Sequence, residues 1–293
     1  AMIPEEVEIT NPDKPMWPDP LITKQDLIIY LRKIAPFILP RLQNKKATLI
    51  SYPHGITDTS FYQKHRAENS PTFVEKHIEG DEVFLLINNV EALVWIGNQG
   101  TIEIHVPFQK VNDDYPDEIV LDLDPPPRDQ FSLAITAAQL VKEMCDYLNL
   151  ISFVKTSGNK GLQIHIPLPK EKLTFTDTRA FTEAVAKILV EHHPKWFTIE
   201  RLKKKRGNRL YIDYVQHAEG KTIVAPFSPR ATKEGTVSAP LFWEEVTETL
   251  LPTDFTILNI VERVNELGCP WSSYDAVREE QDLTKLLQLI RNS

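Results

Sequence analysis

The sequence is poor in cysteine and has no long apolar run, and both absences exclude whole classes of protein. Its 293 residues include two cysteines, Cys145 and Cys269, too few for a disulfide framework or a four-cysteine zinc site. No stretch of about 18 consecutive apolar residues is present, so no membrane-spanning helix is predicted. The first residues lack the basic and apolar pattern of a signal peptide, so we expect a cytoplasmic protein with free thiols.

The chain also lacks an excess of positive charge. With 33 Lys and Arg against 41 Asp and Glu, its net charge of -8 argues against indiscriminate coating of nucleic acid. A local basic channel on an acidic body is compatible with that balance. There are no internal repeats and no low-complexity linkers, and the length of 293 residues suits one large domain or two small ones.

Amphipathic segments alternate with strand-like segments along the chain. Helical spacing of apolar residues predicts helices over 23–35, 129–148, 177–191, 256–267 and 280–290. Thr23, with Asp26 three residues later, fits a helix start, and Gly268 fits a helix end. Residues 83–108 are predicted to form two or three strands, with clear alternation in TIEIHV. The pattern predicts an α/β or α+β fold.

Four predicted strands share one design, an apolar face opposite a face that carries acids, imidazoles or amides. They are TIEIHV, IVLDLD, GLQIHIPL and RLYIDYV, in chain order. Because residues two apart on a strand face the same side, Asp122 lies with Asp124, and Gln163 lies with His165. A solvated outer face is the simpler interpretation of any one such strand. Solvated faces usually carry Lys, Thr and Glu, however, whereas short carboxylates and imidazoles recur here.

The pair Asp122 and Asp124 is a candidate cation site. Two short carboxylates on one face repel each other as anions, and a divalent cation relieves that repulsion. Hard oxygen ligands suit Mg²⁺ or Mn²⁺. A third carboxylate, Asp213 in RLYIDYV, would permit a two-metal site. A lone DxD motif is common and usually has no such role, so this prediction depends on the motifs that follow.

Two further segments fit a phosphate-binding role. In KTSGNKGLQIHIPL, residues 155–168, a small turn leads into a strand, its glycines allow close backbone approach and Lys160 supplies a cation. The helix-initiating pattern GxxxxGK[ST] is absent. In TIVAPFSPR, Arg230 follows a strand, where it could clamp a phosphate or pair with a surface acid. Alone, the first segment would more simply be an ordinary hairpin turn.

The run RLKKKRGNR is a dense local cluster of positive charge, because six of residues 201–209 are basic. It could be a solvated loop, a nuclear-import signal or a grip on a nucleic-acid backbone. Its position four residues before Asp213 favours backbone binding.

Several motifs occur together in an order that is specific to one family. They are DLDPP, SGNKGLQIHIPL and RLYIDYVQHAEGKTIVAPFSPRATKEGTVSAPLFWEEV, preceded by NPDKPMWPDPLITKQDL at 11–27, ISYPHGITDTSFYQKH at 50–65 and GTIEIHVP at 100–107. The chain therefore resembles, over nearly its whole length, the polymerase domain of bacterial DNA ligase D and its stand-alone relatives. These proteins belong to the archaeo-eukaryotic primase superfamily. Each motif alone is weak, and their combination is specific.

The resemblance implies two packed β-sheets flanked by helices, with the active cleft between them. It implies a single domain over 1–293, with a DNA-end-binding part at about 1–115 and a catalytic part at about 116–293. The implied activity is template-directed nucleotide addition to 3′ ends and filling of short gaps in non-homologous end joining, with a preference for Mn²⁺ and ribonucleotides. The implied partners are DNA ends or gapped DNA with a 5′-phosphate, nucleoside triphosphates, Ku and a DNA ligase.

Residue roles at the catalytic centre come from the same resemblance. The residues that match catalytic ligands of two metal ions are Asp122, Asp124 and Asp213. Those that match triphosphate contacts are Ser157, Lys160 and Arg230, and His105 matches a histidine near the metals. We therefore expect Asp122 and Asp213, which lie on separate strands, to meet in the structure.

The resemblance also implies DNA contacts. Lys14 and Lys24 match lysines that hold the 5′-phosphate of the downstream strand. Phe61 and Tyr62 match an aromatic pair that contacts template bases at the gap. Arg206 lies in a basic loop that approaches DNA and the catalytic centre.

Three positions depart from the family pattern. Relatives usually have histidine where this chain has Gln163, and a histidine reappears on the same face at His165, so both are candidate phosphate contacts. Tyr62 replaces a second Phe and keeps stacking possible, and Ser51 replaces a common Arg. The sequence lacks the zinc-ligand cluster of many replicative primases, which favours the repair branch.

Two other functions stay open on the sequence alone. A metal-dependent nuclease could use the same three carboxylates, although it would not need Lys160 and Arg230 for a triphosphate. A non-catalytic DNA-end-bridging module could use the lysines and aromatics, and it would bind DNA without metal.

Overall fold

The computed structural model describes residues 7–292, which form strands and helices in alternation. The helices in that range are α1 (Lys24–Leu42), α2 (Val90–Asn98), α3 (Phe131–Tyr147), α4 (Phe175–His192), α5 (Ile260–Leu267) and α6 (Thr284–Arg291). The strands in that range are β1 (Pro15–Pro18), β2 (Leu21–Thr23), β3 (Thr48–Ser51), β4 (Phe61–Gln63), β5 (Glu75–Glu79), β6 (Glu82–Leu86), β7 (Thr101–Pro107), β8 (Glu118–Asp124), β9 (Phe153–Thr156), β10 (Leu162–Pro167), β11 (Phe197–Thr198), β12 (Leu210–Asp213), β13 (Thr222–Val224) and β14 (Pro240–Leu241). The predicted mixed α/β class is confirmed.

A six-stranded sheet with the order β11-β12-β8-β10-β9-β14 carries most of the chemistry-bearing side chains. Its β8 and β10 pair antiparallel, and β12 lies antiparallel on the other side of β8. One face is apolar, because alternate residues such as Leu121, Leu123 and Ile164 are buried in a core with residues of α3, α4 and α6. Strand β8 ends at Asp124, directly before three prolines that cannot continue its ladder.

A four-stranded sheet with the order β13-β7-β3-β4 forms the second layer. Helices α1 and α2 pack together, and their buried faces share a second core with Ile102 and Ile104 of β7. The two sheets meet through Val120, Phe108 and Ile223, which form a small apolar cluster. Because Val120 lies on the same face of β8 as Asp122, the polar face of the six-stranded sheet looks toward the second sheet.

Helix α1 runs further than the sequence predicted. The predicted end was residue 35, yet the helix continues to Leu42 with Pro36 and Pro40 inside it. Each proline removes one backbone donor and normally ends or kinks a helix. Burial of Ile38 and Leu42 in the second core compensates for that loss. The predicted helix start is confirmed, because the Thr23 hydroxyl accepts from the backbone N–H of Asp26, whose carboxylate accepts in return from that of Thr23.

The prediction of two or three strands over 83–108 is confirmed for β6 and β7, but a helix that was not predicted, α2, lies between them. The segment VEALVWIGN is rich in β-branched and aromatic residues, which favour strands when considered locally. Asn89 starts a helix instead, because its side-chain oxygen accepts from the backbone N–H of Ala92 at 2.8 Å. The last two predicted helices also begin later than expected, at Ile260 and Thr284, whereas the end before Gly268 is confirmed.

None of the helices within residues 7–292 has the length and apolarity needed to cross a membrane. Both cysteines are free, and Cys145 is buried in the core under the six-stranded sheet.

We expect Ile164→Ala to destabilise the protein strongly. Ile164 is 0% exposed at the centre of β10, so truncation removes apolar contacts and leaves a cavity, at a cost of about 2–5 kcal/mol. The matched control is Ile78→Ala in β5, where the side chain is 57% exposed and the change should stay within about 0.5 kcal/mol. Urea unfolding measures both, and equal midpoints for the two variants would contradict this assignment of the core.

Candidate functional site

Four polar side chains lie in one row across the six-stranded sheet. The cross-strand register pairs Asp213 of β12 with Asp122 of β8, Asp122 with Gln163 of β10, and Gln163 with Lys155 of β9. Directly opposed residues of neighbouring strands share a face, so all four point toward the second sheet. The row therefore passes from two carboxylates through an amide to an ammonium.

The carboxylates are strongly coupled electrostatically. Burial, together with the negative charges of Asp124 and Asp213, raises the pKa of Asp122 to about 7. Burial also raises the pKa of Asp124, against the opposing charges of Lys160 and Arg206. The predicted repulsion is therefore present, and added positive charge beside Asp122 would favour its ionised form.

The donor set suits a hard divalent cation. Asp122, Asp124 and Asp213 supply carboxylate oxygens, the ligands that Mg²⁺ and Mn²⁺ prefer. Within residues 7–292, no group of three or more His, Cys, Asp or Glu side chains forms a ready-made metal cluster. The coordination shell would thus depend on water and phosphate oxygens as well as carboxylates, as is usual for Mg²⁺.

At the far end of the row, Lys155 is 0% exposed. Its ammonium donates a short hydrogen bond to the Oε1 atom of Gln163, and it donates to the hydroxyl of Ser238 at 2.6 Å. The Nε2 atom of Gln163 donates in turn to Oδ1 of Asp122 at 3.3 Å. Burial and the nearby charge of Arg230 lower the pKa of Lys155 to about 7.

A tight turn joins β9 to β10 beside the carboxylates. The hydroxyl of Ser157 accepts from the backbone N–H groups of Asn159 and Gly161, both at 3.1 Å. A Cβ atom at Gly161 would lie 2.0 Å from the carbonyl oxygen of Leu123, so only glycine lets the turn approach β8 this closely. The predicted small turn is therefore present, and Gly161 serves its close packing against β8.

A second segment braces this turn from behind. Arg230 donates to the carbonyl of Ser157 at 2.5 Å, and the hydroxyl of Thr236 donates a short hydrogen bond to the carbonyl of Gly158. A Cβ atom at Gly158 would lie 2.6 Å from Cγ of Arg230, so this glycine also makes space for its neighbour. The turn and Arg230 thus form one unit.

Lys160 extends from the turn toward the end of β8. Its ammonium lies 3.7 Å from Oδ1 of Asp124 and donates to the carbonyl of Pro126 at 3.2 Å. Its side chain is about a quarter exposed. Ser157, Lys160 and Arg230 are therefore brought together beside the carboxylate row.

Glu103 connects the second sheet to this site and was not predicted as a functional residue. One of its oxygens lies 2.9 Å from Nε2 of His105, and the other accepts from the backbone N–H of Ala231 and lies 3.3 Å from Nε of Arg230. Burial alone would raise its pKa, but His105 and Arg230 outweigh burial and lower it to about 2. Its position on the polar face of TIEIHV was the available signal.

The structure separates the two candidates Gln163 and His165. Gln163 contacts Asp122, whereas Nδ1 of His165 lies 2.6 Å from a carboxylate oxygen of Glu118, at the other end of β8. The ring of His165 also packs against Trp271, with 4.8 Å between centroids. Burial lowers the pKa of His165 to about 4, so a neutral ring donates from Nδ1 to Glu118. His165 is therefore not brought to the carboxylate row.

Lys14 and Lys24 lie together at the start of α1. The backbone N–H of Lys24 donates to the carbonyl of Lys14 at 2.8 Å. The ammonium of Lys14 donates a hydrogen bond to the carbonyl of Pro53, and that of Lys24 donates to the carbonyl and hydroxyl of Thr10. Burial and the charge of Lys14 lower the pKa of Lys24. The two cations therefore lie close together, although Lys24 is only 3% exposed.

The aromatic and basic candidates lie on open surfaces. Phe61 and Tyr62, in the edge strand β4, are 46% and 74% exposed, and as sequence neighbours on a strand they point to opposite sides. The guanidinium of Arg206 stacks 3.7 Å from the ring centroid of Tyr211 and donates to backbone carbonyls of its own loop. Tyr211 pairs with Asp124 across β12 and β8, so the basic loop borders the carboxylates.

Comparison with known proteins agrees with this geometry. The family model described as "LigD, primase-polymerase domain" matches residues 23–271. The chain is 40% identical over 286 residues to the bifunctional non-homologous end joining protein LigD of Bacillus subtilis, covering 98% of this chain and 47% of that protein. It is 30% identical over 292 residues to the multifunctional LigD of Pseudomonas aeruginosa, covering 97% of this chain and 35% of that protein.

A solved structure shows the same architecture. The polymerase domain from Mycobacterium tuberculosis ligase D, in complex with DNA, aligns with a TM-score of 0.85 and 26% identity, covering 93% of this chain and 99% of that one. The chain spans less than half the length of the curated LigD relatives described above. From the family match, the identity to the Bacillus protein and the shared architecture, the chain belongs to the LigD primase-polymerase domain family.

Proposed function

We propose that this domain is a nucleotidyltransferase that adds nucleotides to DNA 3′ ends and fills short gaps during non-homologous end joining of double-strand breaks. The observation that carries the proposal is the joint placement of two kinds of group: opposed carboxylates Asp122 and Asp213, and a braced turn with Ser157, Lys160 and Arg230. A nuclease needs only the carboxylates. A triphosphate as substrate accounts for the cations as well.

The carboxylates would hold divalent cations, Mn²⁺ or Mg²⁺, through Asp122, Asp124 and Asp213. When bound, such ions supply a lowered pKa for the primer hydroxyl and neutralise charge on the triphosphate. The protein contributes the orientation of its oxygens, which the antiparallel pairing of β8 with β12 holds in register. We further propose that two ions bind, and that the domain favours Mn²⁺ and ribonucleotides.

The braced turn would hold the triphosphate. Lys160 has a partly exposed side chain beside Asp124, and Ser157 orders the backbone N–H groups of the turn around its hydroxyl. Arg230 carries positive charge next to the same turn, and Glu103 fixes the direction of its guanidinium. These groups act by positioning the substrate and stabilising its negative charge. His105 acts through Glu103 in this arrangement.

DNA would bind along basic and aromatic residues that lie outside the row of Asp213, Asp122, Gln163 and Lys155. Lys14 and Lys24 would hold the 5′-phosphate of the downstream strand, Phe61 and Tyr62 would stack on template bases, and the loop with Arg206 would contact the backbone. We propose that residues 1–115 chiefly grip the DNA end and residues 116–293 chiefly carry the chemistry. Ku and a DNA ligase are the proposed protein partners, in the cytoplasm.

We expect Asp122→Asn and Asp213→Asn each to reduce nucleotide addition by at least about a hundredfold, because each removes a negatively charged ligand. Primer extension on gapped DNA with Mn²⁺ and labelled nucleotides measures the loss. The matched control is Asp146→Asn, an exposed helix residue paired with Lys142, which should retain activity. Retained addition in either site variant would refute the assignment. Metal-dependent shortening of the primer by the wild type would favour a nuclease.

The two N-terminal lysines should make binding sensitive to the 5′-phosphate. Gapped DNA with that phosphate should bind wild type more tightly than DNA with a 5′-hydroxyl. Lys14→Ala and Lys24→Ala should each remove about tenfold of that preference, the value of one charged hydrogen bond. The control is Lys33→Ala, an exposed residue later in α1. Fluorescence anisotropy measures the affinities, and equal binding of both DNAs by wild type rules out this role.

The raised pKa of Asp122 predicts how stability depends on pH without metal. The unfolded carboxyl titrates near pH 4, and the folded one titrates at about 7, so the folded state binds more protons between these values. The resulting stability is complete below about pH 4 and is lost as pH rises through 7. Above pH 7, Asp122→Asn should therefore be more stable than wild type, by on the order of 1 kcal/mol because solvent still reaches the site.

Thermal unfolding in EDTA at pH 4.5 and pH 8 measures this difference. It should be largest at pH 8 and small at pH 4.5, and Mn²⁺ should stabilise wild type more than the variant. Asp81→Asn in the exposed β5–β6 hairpin turn is the control, with no expected effect. A variant that is less stable than wild type at pH 8 in EDTA would contradict the electrostatic description.

A further inference from the structure

The buried lysine at the end of the polar row has no carboxylate partner. None of the ion pairs found among the described residues 7–292 includes Lys155, although the charges of Asp122 and Glu118 act on it from further away, and its side chain is fully buried. Burial of an unpaired ammonium is costly, so its neighbours must satisfy it by hydrogen bonds. They do so through Gln163 and Ser238, on opposite sides of β9. A residue held at such cost is a candidate for more than packing.

Toward the carboxylates, Lys155 dictates which way the Gln163 amide faces. An ammonium only donates, so it must contact the amide oxygen. That contact turns the amide NH₂ group to Asp122, where it donates at 3.3 Å. The reversed amide would place its oxygen against the ionised carboxylate, which accepts only. Lys155 therefore selects the one orientation in which Gln163 can hold Asp122.

In the other direction, Lys155 reaches the segment that carries Arg230. The Ser238 hydroxyl accepts from Lys155 at 2.6 Å and donates to the carbonyl of Thr156 at 2.7 Å. The backbone N–H of Ser238 donates to the carbonyl of Ser228, two residues before Arg230. One buried ammonium thus lies between the carboxylate row and the segment with Arg230, which contacts the turn between β9 and β10.

We propose that Lys155 is a positioning residue that fixes Asp122 through the Gln163 amide and, through Ser238, keeps the carboxylate row in register with Arg230. This inference rests on the proposed function, because it concerns metal and triphosphate held by the same site.

The first test measures Mn²⁺ binding directly by calorimetry or electron paramagnetic resonance, without turnover. Lys155→Met keeps an unbranched side chain of nearly the same length and removes the donor, and it should weaken Mn²⁺ binding by about tenfold to a hundredfold, the usual effect of losing an outer-shell partner. The matched control is Lys45→Met, another buried lysine, which donates to Asp117 and the carbonyl of Pro107 away from the row. It should lose stability and keep its Mn²⁺ affinity.

A double-mutant cycle separates positioning from general destabilisation. If Lys155 acts through Gln163, then Gln163→Met alone should weaken Mn²⁺ binding, and adding Lys155→Met should weaken it little further. In contrast to Gln163→Met, the variant Gln163→His can donate to Asp122 and accept from Lys155. Its Mn²⁺ affinity should therefore stay within about twofold of wild type. Additive losses in the double variant, or wild-type affinity in a folded Lys155→Met, overturn the inference.

The contact between Lys155 and Ser238 is tested by a separate variant. Ser238→Ala removes one hydroxyl and should raise the KM for the nucleoside triphosphate several-fold while Mn²⁺ affinity stays within about twofold. An unchanged KM overturns the proposed role of Ser238.

If Lys155→Met does not fold, Lys155→Gln replaces it. The shorter neutral side chain cannot reach both partners, and wild-type Mn²⁺ affinity in that folded variant overturns the inference. Absence of nucleotide addition by wild type, in contrast, refutes the proposed function itself.

Discussion

Mutual repulsion of carboxylates on one face of the six-stranded sheet is the constraint on which the rest of the site depends. Asp122 and Asp213 are opposed by strand register, and Asp124 lies two residues further along the same face. A slip of one residue in either strand would turn these acids into the apolar core. The same register that buries Leu121 and Leu123 on one side therefore concentrates negative charge on the other. Burial and this negative charge together raise the pKa of Asp122.

Positive and hydrogen-bonding groups surround this negative charge from several directions. Lys160 approaches the carboxylates from the turn, Arg230 stands behind the turn, and Lys155 acts from inside the sheet through Gln163. Glycines at 158 and 161 permit the turn to lie against both β8 and the Arg230 segment. Glu103 then attaches the second sheet to Arg230. The site is thus a junction at which both sheets contribute.

Alternation in the strands was a dependable signal, because a pleated strand with one buried face leaves little freedom in which side chains share the other face. Helix extents were less predictable. Helix α1 passes through Pro36 because Ile38 and Leu42 reach a core that the local sequence does not reveal. Helix α2, between β6 and β7, was not predicted for a similar reason, since its strand-favouring residues are buried on a helical face once Asn89 caps it.

By itself, the sequence determined the mixed fold class, the face-sharing of Asp122 with Asp124, and the small turn around Ser157 and Lys160, because these depend on spacing within one segment. Only the tertiary structure decided between Gln163 and His165, which share a face but lie in rows two residues apart: one row contains Asp122, and the other lies beside Glu118. It also brought in Glu103 and Lys155, which contact Arg230 and Ser238 of a distant segment. Contacts of that kind arise from strand order and sheet packing, and no spacing along a single strand encodes them.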